Sequence, residues 1–405
     1  MKKTLLSALA ALTLSSLSAS ASSDVKFYQD ANGQVFTKPA EGRKLIDIPK
    51  KETSWYSHAD KLKFSSLAYL GYTYNDYKSD TPTMNYQANK SNFEIRRGYF
   101  QVKAYLLDDP KSYYRITLDV HQNAADDLVV RAKYAYLYLN NILPSTGVEL
   151  GLVHRPWHDY EEHNAWYYRS IAKVLTEDSN GAHLSNSADF GVNFKTKTQY
   201  FDSEFGVFNG EGYHSDFNDD IGDTAGTGMS FEWRTTAHIL GVNGKDKQTT
   251  KTYFDVSFFG QYNKKHTSVA SATGNRYEDL VFGGLHTVFN MPSFLLSAQY
   301  IKSQDTADNG TYVSAQAGSG YSVNGEVRFG AEKAFRVLAR YDSWTPEKLL
   351  SSDEKENKSY LAGFAWDQNK NVQWVANVTV TDNKDGSSRQ KYNGNAYMIT
   401  AEVKF

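Results

Sequence analysis

The chain has 405 residues, a formal net charge of −2 and no cysteine. The lack of cysteine excludes disulfides, cysteine-ligated metal centres, c-type haem attachment and an acylated lipoprotein, and the charge balance gives no basis for nucleic acid binding. Tyr and Phe are abundant, at 29 and 22, whereas Pro numbers only 8. This composition is typical of strands that face an apolar phase on one side and water on the other.

Residues 1–21 are predicted to be a secretory signal peptide. Lys2 and Lys3 give a positive start, residues 5–17 are apolar with small residues interspersed, and residues 19–21 form an A-x-A cleavage site. The alternative is an N-terminal membrane anchor, but a spanning helix needs about 20 apolar residues and this stretch is shorter.

Beyond the signal, apolar and polar residues alternate with a period of two. At the C-terminus, for example, Tyr397, Ile399 and Val403 alternate with Thr400 and Glu402. Such alternation predicts strands with one apolar and one polar face. Charges recur at mid-strand on the polar face, where a dry sandwich core would make them costly. The polar face is therefore predicted to contact water.

Sixteen segments follow this pattern and predict an all-β fold, namely a transmembrane antiparallel β-barrel with an inward-folded constriction loop; 14 or 18 strands are the alternatives. Residues 63–405 are assigned to the barrel, and residues 22–62 to an N-terminal extension that is periplasmic or lumenal. The last strand ends at Phe405, which is similar to the signature that the outer-membrane barrel-assembly machinery recognises; an edge strand of a secreted sandwich is the alternative. The predicted strands are 63–74, 91–107, 112–123, 127–139, 147–155, 187–199, 200–210, 228–240, 250–263, 279–290, 292–303, 320–330, 334–344, 357–368, 372–382 and 394–405.

The links between these segments alternate in length. Short links at 107–111 and 290–292 predict periplasmic turns, and longer polar links at 75–90, 264–278 and 304–319 predict extracellular loops. A barrel of this size encloses an aqueous channel rather than a packed core.

Residues 156–186 are too long for a turn and carry many aromatic residues. This composition predicts that the segment packs against the inner wall of the barrel and narrows the pore. A large extracellular loop is the alternative.

Charged residues on the inward phase of strands two to five and in this segment are the candidate pore-lining site. A basic wall facing an acidic loop would set a transverse field across a narrow aqueous gap and favour some ions over others. Alternatively, the same charges pair with one another and fill the lumen. The candidate residues are Arg97, Lys103, Arg115, Arg131, Lys133 and Arg155 on the wall, and Asp159, Glu161, Glu162 and Arg169 in the segment.

His154, His158 and His163 are spaced by four and five residues, which is not a tight metal-binding motif. A structural or lumen-lining role is favoured for them. No motif selects a nucleophile, so no catalytic site, metal or cofactor is predicted.

The sequence resembles the phosphate-selective porin O and P family. The resemblance rests on Gly151-Leu152-Val153-His154-Arg155-Pro156-Trp157, on Glu161-Glu162, on Tyr168-Arg169-Ser170 and on Asp189-Phe190-Gly191-Val192, with a further likeness over residues 27–36. Recognisable motif covers about forty residues, and the resemblance in architecture covers most of the chain after residue 21.

The resemblance implies a trimeric, sixteen-stranded porin with its third extracellular loop inside and an anion preference set by lumenal Arg and Lys. Inward acidic residues such as Glu204, Glu232, Asp255 and Glu326 accompany the basic ones here, so the charge preference stays open.

The predicted function is passive diffusion of small hydrophilic solutes or ions through a porin in the outer membrane of a Gram-negative-type bacterium. A channel specific for phosphate, an organic acid or a sugar is one alternative, and an enzyme or adhesin on a barrel scaffold is another. Membrane lipids, lipopolysaccharide, the barrel-assembly machinery and further copies of the chain are the expected partners.

Overall fold

The computed structural model describes residues 28–45, 60–77, 91–105, 107–122, 127–210, 212–213, 228–241, 248–271, 274–305, 317–347, 356–384 and 392–405. The predicted signal peptide lies outside these residues. The chain divides into two compact units, Met1–Ala59 and Asp60–Phe405. In the first unit, the strand Tyr28–Gln29 pairs with Val35–Phe36 on one side and with Lys44–Leu45 on the other, in an antiparallel sheet.

The second unit is a closed antiparallel barrel of sixteen strands, as predicted, and each strand pairs with its neighbours along the chain. The strands are β1 Leu62–Tyr77, β2 Ser91–Ala104, β3 Tyr113–Gln122, β4 Leu128–Leu143, β5 Thr146–His154, β6 Ala188–Lys197, β7 Phe201–Phe208, β8 Ser230–Leu240, β9 Tyr253–Ser271, β10 Gly274–Met291, β11 Phe294–Asp305, β12 Gly318–Phe329, β13 Phe335–Pro346, β14 Asn357–Asp367, β15 Val372–Asn383 and β16 Gly394–Lys404. The ring closes where β16 pairs with β1, and there Tyr397 lies opposite Tyr74.

The links are short at one end of the barrel, where residues 144–145, 292–293 and 368–371 join consecutive strands. We call this the short-turn end and the opposite end the long-loop end. Two short 3₁₀ helices, Gln248–Thr250 and Ala331–Lys333, also lie in links at the short-turn end.

One predicted loop is wrong. Most of residues 264–278 belongs to the hairpin of β9 and β10, which regains register at Thr267 and Glu278 after a bulge that follows Asn263. The sequence of this stretch is largely polar, so it lacks the alternation that marks the rest of these strands. Backbone hydrogen bonds maintain the pairing of these two strands without that alternation.

The outward face carries aromatic side chains at two levels. Phe335 and Trp366 stack across β13 and β14 near the short-turn end, and Tyr341 and Tyr360 meet six residues further along the same strands, with ring centroids 4.9 Å apart. Six residues span about 20 Å along a strand. This spacing suits the apolar band of about 25 Å and the flanking aromatic girdles of outer-membrane barrels.

The inward face is polar, and the segment between β5 and β6 lies against it. This segment, residues 155–187, is called the inserted segment below. It begins with helix α1, Pro156–Asn164, and Trp157 of this helix packs in one buried cluster with Phe259 of β9 and Leu280 of β10. Within the described residues, no helix is long and apolar enough to cross a membrane.

Candidate functional site

Helix α1 is fixed to the barrel wall through one buried face. Pro156 occupies the first turn, where its missing N–H costs nothing. The indole of Trp157 stacks on Phe259, with ring centroids 3.6 Å apart and planes at 4°. The hydroxyl of Tyr160 donates to Asp255 Oδ2 at 2.8 Å. These contacts hold the start of the inserted segment against β9.

Charged pairs beneath the helix continue this attachment. Arg155 Nε donates to both carboxylate oxygens of Glu232, at 2.8 and 3.0 Å. Arg234 donates to the carbonyl of Pro156 at 3.1 Å and pairs with Glu204 at 3.0 Å. These inward carboxylates, together with Asp255, therefore have partners beneath the inserted segment or in the wall beside it.

The second half of the inserted segment reaches the wall formed by β12 and β13. Arg340 donates to the carbonyl of Lys173 at 2.9 Å, and its guanidinium lies 4.8 Å from the ring centroid of Trp166. Tyr168 donates to Glu326. The segment thus crosses the lumen between attachments on both sides of its path.

Two lumen cavities remain beside the inserted segment. One, near the short-turn end, has a volume of about 750 Å³, and the other, near the long-loop end, about 460 Å³. We call them the short-turn cavity and the long-loop cavity. Tyr69 of β1 and Arg169 of the inserted segment line both cavities. These two residues therefore mark a neck between them.

Two carboxylates fix the guanidinium of Arg169 at the neck. It donates to Glu177 at 2.5 and 2.9 Å and also to Glu162. Burial alone would raise the pKa of Glu177, but Arg169 and Lys173 hold that pKa well below its usual range. The carboxylate stays ionised, so the guanidinium remains clamped.

Three cations on the wall across from the inserted segment lie over tyrosine rings. Lys103 lies 4.6 Å from the ring centroid of Tyr113, Arg115 lies 4.6 Å from that of Tyr134, and Lys133 lies 4.5 Å from that of Tyr99. Among the described residues, none of the three cations has a carboxylate within 4.0 Å. The rings compensate part of each charge through their faces.

Two further wall cations share one carboxylate. Arg97 and Arg131 lie 2.8 and 3.2 Å from Asp119 Oδ2, and Asp119 is buried. Arg97 lines the long-loop cavity, whereas Lys103 and Arg131 lie on the same inward face but border neither cavity.

Only some of the acidic residues predicted for the inserted segment lie together at the lumen. Asp159 and Glu162 line the short-turn cavity together with Arg115 and Lys133. Asp159 Oδ1 lies 3.7 Å from His154. These positions place carboxylates of the segment and cations of the wall around one aqueous space.

Arg155 and Glu161 do not join this group, because both are buried between the inserted segment and the barrel wall and border neither cavity. Glu161 accepts a hydrogen bond from Gln299 at 2.5 Å, and burial raises its pKa to about 8. Period-two alternation predicted the phase of the strands correctly, but a helix turns its side chains in several directions and Glu161 points into the wall.

The three histidines lie in different surroundings: His154 ends β5, whereas His158 and His163 lie on helix α1. His158 is buried beside Thr176 Oγ1 at 3.2 Å, and burial lowers its pKa to about 3, whereas the side chain of His163 is exposed. Within the described residues, no group of three or more His, Cys, Asp or Glu could hold a metal ion.

The sequence analysis did not identify the aromatic residues that line the short-turn cavity at and beside the neck. Tyr69 and Tyr99 meet edge to face with centroids 6.0 Å apart, and Tyr134 lies 4.0 Å from the ring of His154. Their alternation with outward residues could have placed them inward. Their convergence depends on the closure of the barrel and on the path of the inserted segment.

The barrel and its inserted segment define the fold of sixteen-stranded outer-membrane porins. The chain is similar to outer-membrane expressed OmpT of Vibrio cholerae (TM-score 0.57, 12% identity, 85% of this chain and 97% of that one). It is also similar to the anion-selective porin from Comamonas acidovorans (0.57, 13%, 85% and 98%) and to OprB of Pseudomonas putida (0.59, 7%, 86% and 96%). No family profile and no curated protein sequence matches the chain. These likenesses support the porin fold, and the resemblance to the O and P family stays a prediction.

Proposed function

We propose that this protein is an outer-membrane porin through which small hydrophilic solutes diffuse passively, with a preference for anions. The observation that carries the proposal is the pair of lumen cavities that meet at Tyr69 and Arg169. A solute moving between the two ends of the barrel would pass this neck.

The anion preference rests on cations that lack ion-pair partners among the residues that the structure describes. Lys103 lies directly opposite Lys63 on one neighbouring strand and opposite Arg115 on the other. Like charges directly opposite one another destabilise a sheet, so this row has a structural cost. An anion in the lumen would offset that cost. The inward carboxylates Glu232 and Glu326, in contrast, are engaged by Arg155 and Arg328.

We further propose that the chain is exported by its signal peptide and assembles as a trimer in a Gram-negative-type outer membrane. The two levels of outward aromatic residues support insertion into a bilayer. Lipids and lipopolysaccharide would contact this outward face, and the strand that ends at Phe405 would engage the barrel-assembly machinery. Residues 22–62 would form a periplasmic or lumenal extension, and we assign no catalysis to the chain.

Neutralising the unpaired wall cations tests the anion preference. The triple variant Lys103→Gln, Arg115→Gln, Lys133→Gln should shift the zero-current potential in a salt gradient towards cation preference. The expected change in the anion-to-cation permeability ratio is on the order of tenfold, because one charge about 4 Å from a passing ion contributes about 1 kcal/mol even in water.

A matched triple variant, Lys111→Gln, Lys197→Gln, Lys333→Gln, removes three exposed cations at turns of the short-turn end. It should leave the zero-current potential close to that of the wild type. Equal shifts in the two triple variants would contradict a role for the wall cations.

A further inference from the structure

We propose that the short-turn cavity, beside the neck, selectively binds small carboxylates attached to an aromatic ring, such as benzoate, so that these are favoured solutes of the pore. This inference rests on the proposed diffusion function and names a substrate class for the same lumen.

Two cations around one tyrosine form the carboxylate site. The guanidinium of Arg115 lies 4.6 Å from the ring centroid of Tyr134, and Lys133 Nζ lies 5.5 Å from the same centroid. Both residues line the short-turn cavity. Because no carboxylate of the described residues pairs with either cation, both charges are available to the carboxylate of a solute in this cavity. An arginine presents two parallel N–H donors that match the geometry of a carboxylate.

Neighbouring groups hold the arginine in this place. Arg115 donates to Thr117 Oγ1 at 3.0 Å and to the hydroxyl of Tyr136 at 3.1 Å, and it lies 3.1 Å from His154 Nε2. All these partners are neutral or weakly basic side chains. They orient the guanidinium without neutralising it, which keeps its charge available to an anion.

Aromatic rings surround the same space. Tyr69, Tyr99 and Tyr167 line the short-turn cavity with Tyr134. Tyr69 and Tyr99 are already paired edge to face, with interplanar angle 85°. A planar solute ring entering this space meets further aromatic partners at stacked or edge-to-face geometry, which adds to the attraction between cations and carboxylate.

Phosphate fits this lining less well than an aromatic carboxylate does. Each oxygen of a small, strongly hydrated anion needs a hydrogen-bond donor once its water is removed. Much of the lining near Arg115 and Lys133 consists of tyrosine rings, which offer their faces and only one hydroxyl each. An aromatic carboxylate concentrates its charge at one end and presents an apolar ring to the tyrosine rings of the lining.

Competition in planar bilayers tests the inference. Full-length protein is inserted into the bilayer. The potassium chloride bath is then titrated with sodium benzoate, sodium acetate or sodium phosphate over the same range of concentrations. We expect benzoate to halve the chloride-carried current at a concentration about tenfold lower than acetate or phosphate, because its ring adds aromatic contacts and apolar burial.

Variants at two positions separate the contribution of the charge from that of the ring. Lys133→Gln should weaken the block by benzoate and acetate alike. Tyr134→Leu should bring the benzoate block down to that of acetate while the anion preference persists, and Tyr134→Phe, which keeps the ring and the fold, should retain the benzoate block. Lys111→Gln, an exposed turn residue, should behave as the wild type.

Equal block by the three anions, or the strongest block by phosphate, in channels that conduct normally would overturn the inference while leaving the diffusion function intact. A folded protein that carries no current would instead refute the diffusion function itself.

Discussion

At the scale of single residues, Glu161 has the most unusual surroundings in the inserted segment. Its carboxyl accepts one hydrogen bond from the neutral amide of Gln299, and its second oxygen has no hydrogen-bond partner among the described residues. Arg340 lies near enough to lower the pKa, while Asp342 and Glu162 raise it. Burial dominates, and the pKa is raised to about 8.

This burial predicts a pH-dependent attachment of the inserted segment. In a detached segment the carboxyl would titrate near pH 4.3. Because the attached state has the higher pKa, its stability is greatest below about pH 4.3 and falls by roughly 1.4 kcal/mol per pH unit until about pH 8, above which the loss is complete. We therefore expect the noise of single-channel currents to increase between pH 5 and pH 8.

Glu161→Gln should flatten this dependence, because the amide keeps the hydrogen-bonding shape without a titratable proton. Glu332→Gln, at an exposed turn, serves as the control. If current noise in Glu161→Gln follows pH as in the wild type, another group controls the segment.

The sequence predicted which residues of the site face inward, but not how they pair with one another. The alternation of side chains placed Arg115, Lys133 and Asp119 on the inward face, because a strand has a period of two. It could not show that Asp119 pairs with Arg97 and Arg131, while Arg115 and Lys133 have no carboxylate partner in the described part of the chain. Partners come from different strands, so their distances depend on register and closure.

At the scale of elements, helix α1 depends on the buried pair of Arg155 and Glu232. Arg155→Met would leave Glu232 buried without its cation and should lower the free energy of unfolding by about 3–5 kcal/mol. The double variant Arg155→Met, Glu232→Met should recover most of that loss, since two well-packed apolar residues replace both charges. Thermal unfolding in detergent measures both effects; a double variant that is no more stable than the single one would contradict this account of the pair.

The pairing of β4 with β5 depends on Gly151, which lies within β5 opposite Tyr136. Its φ is +126°, and a Cβ there would lie 2.4 Å from the carbonyl oxygen of Ala135. Gly151→Ala should therefore lower stability by about 1–3 kcal/mol, measured as a lower unfolding temperature. Gly283→Ala is the matched control, since its nearest contact would be 3.9 Å away. Similar losses in both variants would mean that the strain at Gly151 is not the cause.

Elements were predicted best where one face is apolar and the other polar. All sixteen strands of the barrel correspond to segments identified by alternation. The hairpin extension across 264–278 was missed because its sequence is largely polar and does not alternate. Helix α1 was missed as a helix because its nine residues mix aromatic and charged side chains without a clear apolar stripe; the barrel wall, with Phe259 and Asp255, provides its partners.

At the scale of the whole molecule, closure of the barrel and the path of one segment create the neck. Tyr69 lies on the first strand, and Arg169 lies in the segment after the fifth. The sequence predicted that this segment enters the lumen, but not that the side chain lining both cavities is an arginine clamped by two carboxylates. That arrangement depends on contacts between parts of the chain about one hundred residues apart.

Single-channel conductance in planar bilayers tests the central claim, a water-filled pore narrowed at Tyr69 and Arg169, most directly. The purified full-length protein should produce discrete current steps that rise linearly with voltage, and Tyr69→Ala, which widens the neck, should produce larger steps. A correctly folded, membrane-inserted protein that passes no current, or a Tyr69→Ala variant with unchanged steps, would contradict this account of the lumen.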